Sequence, residues 1–379
     1  MSVHKLNILM FVPQFPYPIV GGLEKQAYEL SKKLIELGHN IHVLSGKINN
    51  ENKDIENSEG IKIHRFKWYR VKVFRFIFTP FSIFIYLNRN KNKFDILHVH
   101  QQSWIGLYVI FLSKLLGIPV LTKLPSWGEL GVESIVNSFL GNLRKKILFS
   151  SNGIVVITKQ SINELLKYDY PNENIYFSPN GIEITPKVLR PNQNEKIIVV
   201  FVGRLIELKQ VDKLLLVWDD LCLMTKENIE LKICGNGTEY NNLLSLSKKV
   251  NKLNNVQFLG HVHDTKSILN SSDIFVLPSR VEGNSNAILE AMISGLPIVS
   301  TLTGGTPFMV GYEGQKFLSN VNDFTKIKSD LLLLIENKHL RHKLGENMRY
   351  IVENTFSINI VAKKYITIYY EILKRKKTI

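Results

Sequence analysis

Two glutamates enclose a short run of small and amide side chains in the segment 280–292, which reads RVEGNSNAILEAM. Glu282 and Glu290 are the only acidic residues in this segment, although the chain has a formal net charge of +15. Carboxylates accept hydrogen bonds from hydroxyl groups. The helix predicted to start near Asn284–Asn286 offers backbone N–H groups that favour a phosphate. The segment therefore suits a sugar nucleotide, and a solvated helix with two surface glutamates is the alternative.

Two cations follow the strand that is predicted to begin the second half of the chain. Arg204 and Lys209 lie in FVGRLIELKQ, just past the apolar run. At the carboxyl end of a strand, they are placed to hold a diphosphate through charge-assisted hydrogen bonds. Such a placement stabilises negative charge on a departing nucleoside diphosphate. The alternative is a pair of surface cations on an exposed loop.

Three glycine turns also follow predicted strands. Gly22 precedes the first long helix and lets the backbone approach a phosphate at the helix start. Gly235 and Gly237 in CGNGTEY suit close approach by a base or a ribose, and Gly304 and Gly305 in TLTGGTP offer adjacent N–H groups to an anion. Each turn taken alone is also typical of a simple tight turn.

The elements that must position these residues alternate between strand and helix along the whole chain. In the first half, KLNILMFVP, HNIHVLSG, IKIHRF, FDILHVH, IPVLTKL and NGIVVIT are predicted strands, with amphipathic helices between several of them. The pattern restarts after a polar stretch, 185–196, with IIVVFVG, IELKICGNG, NVQFLGHV, SDIFVLPS and LPIVST as strands. This order predicts an α/β fold of two Rossmann-like domains with parallel sheets and a cleft between them.

The expected domain boundaries follow from this restart. We expect residues 1–187 to form an N-terminal Rossmann-like domain and residues 188–357 to form a C-terminal one. We expect residues 358–379 to form a last helix that packs back on the N-terminal domain. The length of 379 residues is enough for two domains, each with its own core.

Composition excludes several classes of protein. A hydrophobic content of 45% with 21% charged residues is typical of a globular chain. Cys222 and Cys234 lie in apolar runs and suggest reduced thiols in a cytoplasmic protein, without metal-ligand spacing. The N-terminal apolar run reads as a first strand and lacks the features of a signal peptide. No helix-turn-helix, zinc-finger or ribonucleoprotein signature supports nucleic acid as the partner.

One segment is unusually rich in aromatic and basic residues. Val71–Lys93 reads VKVFRFIFTPFSIFIYLNRNKNK, with Pro80 in the middle and basic residues at both ends. This pattern fits a core helix with a basic exposed face, which we favour slightly. It also fits an interfacial segment on an anionic membrane, at the inner face of the cell membrane.

The motifs occur together in one order along the chain: NGIEI, VGRLIELKQVD, CGNG, FLGHV, LPSRVEGNSNAILEAMISGLPIVST and GGTP. In this respect the chain resembles the large family of retaining GT-B-fold glycosyltransferases called family four, also known as glycosyl transferases group 1. These proteins share a Glu-x7-Glu motif, which Glu282 and Glu290 match. The resemblance spans nearly the whole chain and is strongest from about Val199 to Pro307.

The resemblance implies that the N-terminal domain, 1–187, lies on the acceptor side and that the C-terminal domain, 188–357, binds the nucleotide sugar. It also implies roles for individual residues. Arg204 and Lys209 would hold the donor diphosphate, Glu290 would bind the ribose hydroxyls, and Glu282 would contact the donor sugar. His100, with His98 at the end of a predicted strand, would lie near the acceptor, although a packed structural role is the alternative. The other implied donor-binding positions are Gly22, Gly203, Gly235, Gly237, His261, Val262, Gly283, Asn284, Ser285, Asn286, Gly304 and Gly305. The resemblance implies no metal and no cofactor, and the chain contains no Asp-x-Asp.

Two positions depart from the family pattern. Many relatives have a histidine near the donor sugar where this chain has Pro125, with Lys123 and Ser126 beside it. The glutamate that often follows the glycine turn is replaced by Phe308. These departures leave open which groups lie near the anomeric carbon and affect one expected donor contact.

The function expected from these features is transfer of a hexose or N-acetylhexosamine from a nucleotide-diphosphate sugar to a glycan or lipid-linked acceptor. The resemblance implies retention of anomeric configuration and a role in surface polysaccharide biosynthesis. A nucleotide-sugar epimerase is an alternative with the same architecture. A non-catalytic protein that binds sugar nucleotides and docks on a membrane is another.

Overall fold

The computed structural model describes residues 5–15, 21–48, 52–69, 71–128, 131–187, 196–250 and 255–378. The chain divides into two compact units. The first unit comprises Met1–Glu183 and Ile358–Ile379, and the second comprises Ile184–Ser357. Most of the polar stretch predicted at 185–196 lies outside the described residues.

In the described part of the first unit, eight strands form one sheet in the order β3-β4-β2-β1-β5-β6-β7-β8. All neighbours are parallel except β3 and β4, which are antiparallel. The strands are β1 (Asn7–Phe11), β2 (Asn40–Lys47), β3 (Ile55–Ser58), β4 (Ile61–Lys67), β5 (Ile96–Val99), β6 (Val120–Leu124), β7 (Gly153–Val156) and β8 (Ile175–Phe177). The helices are α1 (Gly22–Glu36), α2 (Lys72–Asn90), α3 (Trp104–Leu115), α4 (Val132–Val136), α5 (Gly141–Phe149) and α6 (Lys159–Lys167).

The second unit has a fully parallel sheet, whose six described strands run in the order β11-β10-β9-β12-β13-β14. These strands are β9 (Ile197–Val202), β10 (Ile229–Cys234), β11 (Val256–Gly260), β12 (Ile274–Leu277), β13 (Ile298–Thr301) and β14 (Leu318–Ser319). Its helices are α7 (Val211–Met224), α8 (Tyr240–Val250), α9 (Thr265–Asn270), α10 (Asn286–Ile293), α11 (Thr306–Gln315), α12 (Phe324–Glu336) and α13 (Lys338–Ile351). The last helix, α14 (Ile358–Thr378), belongs to the first unit.

The sheet of the first unit is buried on both faces, as a parallel sheet requires. Side chains of β1 and β5 alternate between two hydrophobic clusters, so Leu9 and Leu97 pack on one face and Ile8 and Ile96 on the other. The second face is covered by α1 and α14, and Tyr365 of α14 is fully buried there. The prediction of two Rossmann-like α/β units is therefore confirmed.

The segment predicted as either interfacial or core forms α2 from Lys72 to Asn90. Its buried positions, Thr79, Ile83 and Leu87, recur every four residues and face the sheet. Several of its other apolar side chains are exposed: Phe74, Phe76, Ile77, Phe78, Phe81 and Phe84. One face of α2 therefore packs in the core, whereas its aromatic face lies in solvent.

Candidate active site

The candidate residues of the second unit follow strands that are neighbours in its sheet. β9 and β12 pair in parallel, with Ile274 opposite Val199. From β9 the chain goes to β10 on one side of the sheet, whereas from β12 it goes to β13 on the other. This is a topological switch point, and open α/β sheets bind ligands outside the carboxyl ends of the strands at such a point.

An ion pair links the loops that leave these two strands. The Lys209 ammonium donates to Oε1 of Glu282, and the side chains are 16% and 8% exposed. Lys209 ends a short 3-10 turn, Glu207–Lys209, and the next residue, Gln210, has a positive φ of 51° where α7 begins. The pair therefore joins a cation and a carboxylate in a largely desolvated position.

Arg204 lies at the same edge of the sheet but in a different environment. Its side chain is exposed, and among the described residues no carboxylate pairs with its guanidinium. Nearby, Arg280 is paired with Glu207 at 2.8 Å. Of the two predicted diphosphate ligands, Lys209 is thus held by a protein carboxylate and Arg204 extends into solvent.

The glycine turn after β13 packs directly on the backbone of Glu282. Gly304 has a φ of +51°, and a Cβ at this position would lie 1.9 Å from the carbonyl oxygen of Glu282. The N–H of Gly305 donates to the carbonyl of Gly283 at 2.6 Å. Gly305 also caps α11, which begins at Thr306. This turn therefore fixes the position of Glu282 and at the same time presents a helix start.

The turn after β10 makes a similar close contact with the turn after β9. A Cβ at Gly235 would lie 1.8 Å from the carbonyl oxygen of Gly203, and one at Gly237 would lie 2.2 Å from that of Leu205. The N–H of Leu205 donates to Asn236 O at 2.9 Å. Because a Cβ at either position would clash with the backbone of the other loop, only glycine allows these two loops to pack so closely.

Glu290 lies on a helix, α10, as the spacing predicts, about one turn from its start at Asn286. The Ser285 hydroxyl caps the helix by accepting from the N–H of Ile288 at 3.5 Å. Thr265 donates its hydroxyl proton to Oε2 of Glu290 at 2.8 Å. Asn284 is buried and Asn286 is the first helical residue.

Three further predicted positions lie around this edge. His261 follows β11 and is exposed, whereas Val262 is half-buried. Phe308, which replaces the expected glutamate, packs its ring edge against Phe356, with ring centroids 5.6 Å apart. Phe308 therefore provides an apolar contact in place of a hydrogen-bond acceptor.

Two predicted residues lie in the first unit. Gly22 is the first residue of α1, which is capped by Gly21. His100 follows β5 directly and is fully buried, with its ring centroid 3.9 Å from that of His98. Burial lowers the pKa of His100 well below its usual range, with smaller contributions from His98 and from the charge of Lys123. Burial therefore favours the neutral form of His100.

The contacts between these residues were not predicted from the sequence. The Lys209–Glu282 pair spans 73 positions, and its only sequence signal is that both residues follow predicted strands. A second such contact joins the Lys123 ammonium to Oδ1 of Asn180 at 2.9 Å in the first unit. Among the described residues, no cluster of three or more His, Cys, Asp or Glu side chains has the geometry to hold a metal ion.

Comparison with known proteins places the chain in one family. Residues 183–350 match Glycosyl transferases group 1, and residues 20–185 match Glycosyltransferase Family 4. The chain is a member of the group 1 glycosyltransferases. The two matches together extend over nearly the whole chain, and the suspected resemblance is confirmed.

This glycosyltransferase is similar to two curated relatives and one solved structure. N-acetyl-alpha-D-glucosaminyl L-malate synthase of Bacillus anthracis is 26% identical over 379 residues, with 95% of this chain and 97% of the relative covered. A phosphatidylinositol N-acetylglucosaminyltransferase protein of Arabidopsis thaliana is 27% identical over 317 residues, with 80% and 69% covered. The Anabaena protein HepE, solved with UDP-glucose, superposes with a TM-score of 0.74 at 15% identity, with 99% and 100% covered. The HepE likeness shows that this glycosyltransferase has the GT-B fold.

Proposed function

We propose that this glycosyltransferase moves an N-acetylhexosamine or a hexose from a nucleotide-diphosphate sugar to a hydroxyl acceptor, with retention of anomeric configuration. The observation that carries the proposal is the Lys209–Glu282 ion pair at the switch point of the second sheet. N-acetylglucosaminyl transfer is named in both curated relatives, which favours an N-acetylhexosamine. The name of the solved HepE complex, with UDP-glucose, supports a nucleotide sugar as the donor.

Both Lys209 and Glu282 can still form hydrogen bonds to a bound sugar nucleotide while they are paired with each other. An ammonium has three N–H donors and a carboxylate has two acceptor oxygens, and the pair uses one of each. Lys209 can therefore donate to a phosphate oxygen while Glu282 accepts from a sugar hydroxyl. Because Glu282 holds Lys209 in place before the donor arrives, little reorganisation is needed as charge develops on the leaving group.

The other donor contacts follow from the same edge of the sheet. Arg204, exposed and always charged, would add a second cation on the diphosphate. Glu290 would accept from the ribose hydroxyls, and the positive end of the α11 macrodipole would favour a phosphate. We propose that these protein cations neutralise the charge of the leaving diphosphate without a metal ion. The acceptor oxygen forms the new bond to the anomeric carbon on the face from which the diphosphate leaves, and the leaving phosphate takes the acceptor proton.

The acceptor is proposed to carry an anionic group beside its hydroxyl. L-malate and phosphatidylinositol, which are named in the two curated relatives, each combine a hydroxyl with a carboxylate or a phosphate. The sequence pI of about 9.5 suits an anionic acceptor. A lipid-linked acceptor of a surface polysaccharide pathway has this chemistry.

The test uses purified protein and a panel of nucleotide sugars. We expect release of the nucleoside diphosphate with one of them, and a loss of about 10²–10³-fold in turnover for Lys209→Met. Lys226→Met, an exposed lysine of the same unit, is the matched control and should keep full turnover. Conversion of the donor sugar without release of nucleoside diphosphate would instead indicate an epimerase. Unchanged turnover in Lys209→Met, Arg204→Met and Glu282→Gln would refute the proposed site.

The aromatic face of α2 supports a second part of the proposal, peripheral docking on the inner face of an anionic cell membrane. Phe74, Phe78 and Phe81 are 50%, 44% and 60% exposed, although burial of each such ring in an apolar phase is favourable by about 2 kcal/mol. Exposed basic residues lie in the last turn of the helix and just after it: Arg89, Lys91 and Lys93. None of the described helices has both the length and the apolar character that crossing a bilayer requires.

Cosedimentation with vesicles tests this docking surface. We expect the protein to bind vesicles that contain anionic phosphatidylglycerol and to remain in solution with phosphatidylcholine alone. The double variant Phe78→Ser and Phe81→Ser should lose binding, whereas Tyr350→Ser, an exposed aromatic of the second unit, should not. Equal binding of the double variant and the control would exclude α2 as the docking surface.

A further inference from the structure

A lysine is buried in the first unit without a negative partner. Lys123, on β6, is only 5% exposed and donates to Oδ1 of Asn180 at 2.9 Å. Among the described residues no carboxylate forms an ion pair with it. Burial lowers the pKa of Lys123 to about 8. Because a charge removed from water without a counter-charge is unfavourable, this position is suited to a group that brings a negative charge.

The sheet register places two histidines beside this lysine. His98 is opposite Leu121 and Val99 is opposite Thr122. His100 is therefore level with Lys123, and the two histidines and the lysine share one face of the sheet. His98 is hydrogen-bonded through Nδ1 to the hydroxyl of Tyr369, at 2.8 Å, on the covering helix α14. Burial, and next the charge of Lys123, lower the pKa of His98 well below its usual range.

Several buried polar atoms in this cluster have no hydrogen-bond partner among the described residues. Both ring nitrogens of His100, Nε2 of His98 and Oγ of Ser126 are in this state. His100 is fully buried, and Ser126, three residues beyond Lys123, is 8% exposed. Buried polar atoms are almost always hydrogen-bonded in folded proteins, and exceptions often mark a binding or catalytic site.

The cluster lies at the carboxyl ends of β5 and β6, the edge at which open α/β sheets bind ligands. We propose that Lys123, Asn180 and His100 form the subsite that holds the anionic group, a carboxylate or a phosphate, of the acceptor. A cation, an amide and a neutral imidazole N–H can donate together to two or three oxygens of such a group. The inference rests on the proposed function for the acceptor hydroxyl, and it assigns the residues that recognise the charge.

Comparison of charged and uncharged probes separates recognition of the negative charge from general affinity for the molecule. The probes are L-malate, its uncharged diamide and inorganic phosphate, added to the full-length protein while thermal unfolding is followed. L-malate or phosphate should raise the Tm of the unsubstituted protein, and the diamide should not. The malate arm tests a carboxylate source and the phosphate arm a phosphate source. If neither anion raises the Tm, or if the diamide acts as well as malate, the subsite is refuted.

The decisive comparison is between Lys123→Met and Lys363→Met. Lys363 is an exposed lysine on α14, the helix that covers the cluster. Affinity for the anion should fall at least tenfold in Lys123→Met and stay unchanged in Lys363→Met. Retention of anion affinity in Lys123→Met would overturn the inference.

A second variant tests the same proposal if Lys123→Met fails to fold. Asn180→Asp places a carboxylate beside Lys123 and so supplies the missing counter-charge from within the chain. This variant should fold, should be at least as stable as the unsubstituted protein, and should lose anion binding because the lysine is already paired. Undiminished anion binding by Asn180→Asp would also contradict the proposal.

Nucleotide binding separates a failure of this inference from a failure of the proposed function. The nucleoside diphosphate is assigned to the second unit, so Lys123→Met should bind it as well as the unsubstituted protein. Absence of nucleotide binding by the unsubstituted protein would refute the donor site and leave the anion result to be judged separately. A nucleotide affinity that falls in Lys123→Met, with anion affinity intact, would move Lys123 from the acceptor to the donor and refute the subsite.

Discussion

Replacing Glu282 by glutamine removes the negative charge beside Lys209 and keeps nearly the same side-chain shape. The two side chains are 8% and 16% exposed, so solvent screens the pair much less than a surface pair. At an effective dielectric constant of about 20, two unit charges 4 Å apart attract each other by about 4 kcal/mol. Screening by the remaining solvent, and the hydrogen bond that a glutamine oxygen can still accept from Lys209, reduce this attraction, so we expect a coupling of about 1–3 kcal/mol.

A double-mutant cycle measures this coupling directly. Unfolding free energies are compared for Glu282→Gln, Lys209→Met, the double variant and the unsubstituted protein. For a unit of the length of Ile184–Ser357, each kcal/mol corresponds to about 2–4 °C in Tm. The control cycle uses Asp220→Asn and Lys328→Met, a more exposed ion pair of the same unit, which should couple by less than about 1 kcal/mol. A coupling below about 0.5 kcal/mol between Glu282 and Lys209 would refute the view that the pair is a preorganised structural unit.

Three further predictions follow from close packing and burial. Gly304→Ala should destabilise the second unit by a few kcal/mol and abolish transfer, because the new Cβ would lie 1.9 Å from a backbone oxygen. The control Gly260→Ala has a similar positive φ but open space around it, so it should lower the free energy of unfolding by only about 1–2 kcal/mol. Similar losses for the two variants in denaturant titrations would contradict the packing argument. Burial lowers the pKa of His42 to about 4, below its unfolded value of about 6.5. Between these pH values the unfolded chain therefore binds more protons than the folded chain. The free energy of unfolding should consequently fall by roughly 2 kcal/mol as the pH drops from about 6.5 to about 4. His42→Gln should reduce this dependence, and an unchanged pH profile would exclude His42 as its source. Burial also raises the pKa of the Cys234 thiol to about 11, so a thiol reagent at pH 8 should label it only after unfolding; rapid labelling of the folded protein would show that it is accessible.

The sequence was sufficient for the fold because the strands that build the two sheet centres are continuous apolar runs. β9 and β12, for example, are bounded by glycine, proline or polar residues in the sequence, and all their residues except Val202 are buried. Three of the edge strands, β3, β8 and β14, were not predicted. β3 has an alternating exposed pattern and β14 has two residues, so neither has a clear hydrophobic period.

The sequence was sufficient to place the candidate site residues on particular loops and helices, but not to predict which of their side chains are in contact. Periodicity placed Glu290 on a helix and Glu282 on the loop before it, because that judgement is local. The pairing of Glu282 with Lys209 and of Lys123 with Asn180 depends on which strands are neighbours in the sheets, and local periodicity does not specify this. The exposure of Phe81 likewise depends on which face of α2 meets the sheet.

The glycines show a related limit. From the sequence, Gly235 and Gly304 were interpreted as sites of close approach to a ligand. The structure adds that each lies against a backbone carbonyl of a neighbouring loop. A glycine required by loop packing and one required by a ligand have the same sequence signature, so only the fold distinguishes the two causes.

Calorimetric titration with nucleoside diphosphates tests the central claim most directly. The tightest of UDP, GDP, ADP and dTDP is titrated into the unsubstituted protein, Arg204→Met, Lys209→Met and the control Lys226→Met. We predict that the first protein and the control bind equally well, and that each of the other two binds at least tenfold more weakly because a charge-assisted hydrogen bond to the diphosphate is lost. Equal affinity in all four proteins would contradict the assignment of the diphosphate to this edge of the second sheet.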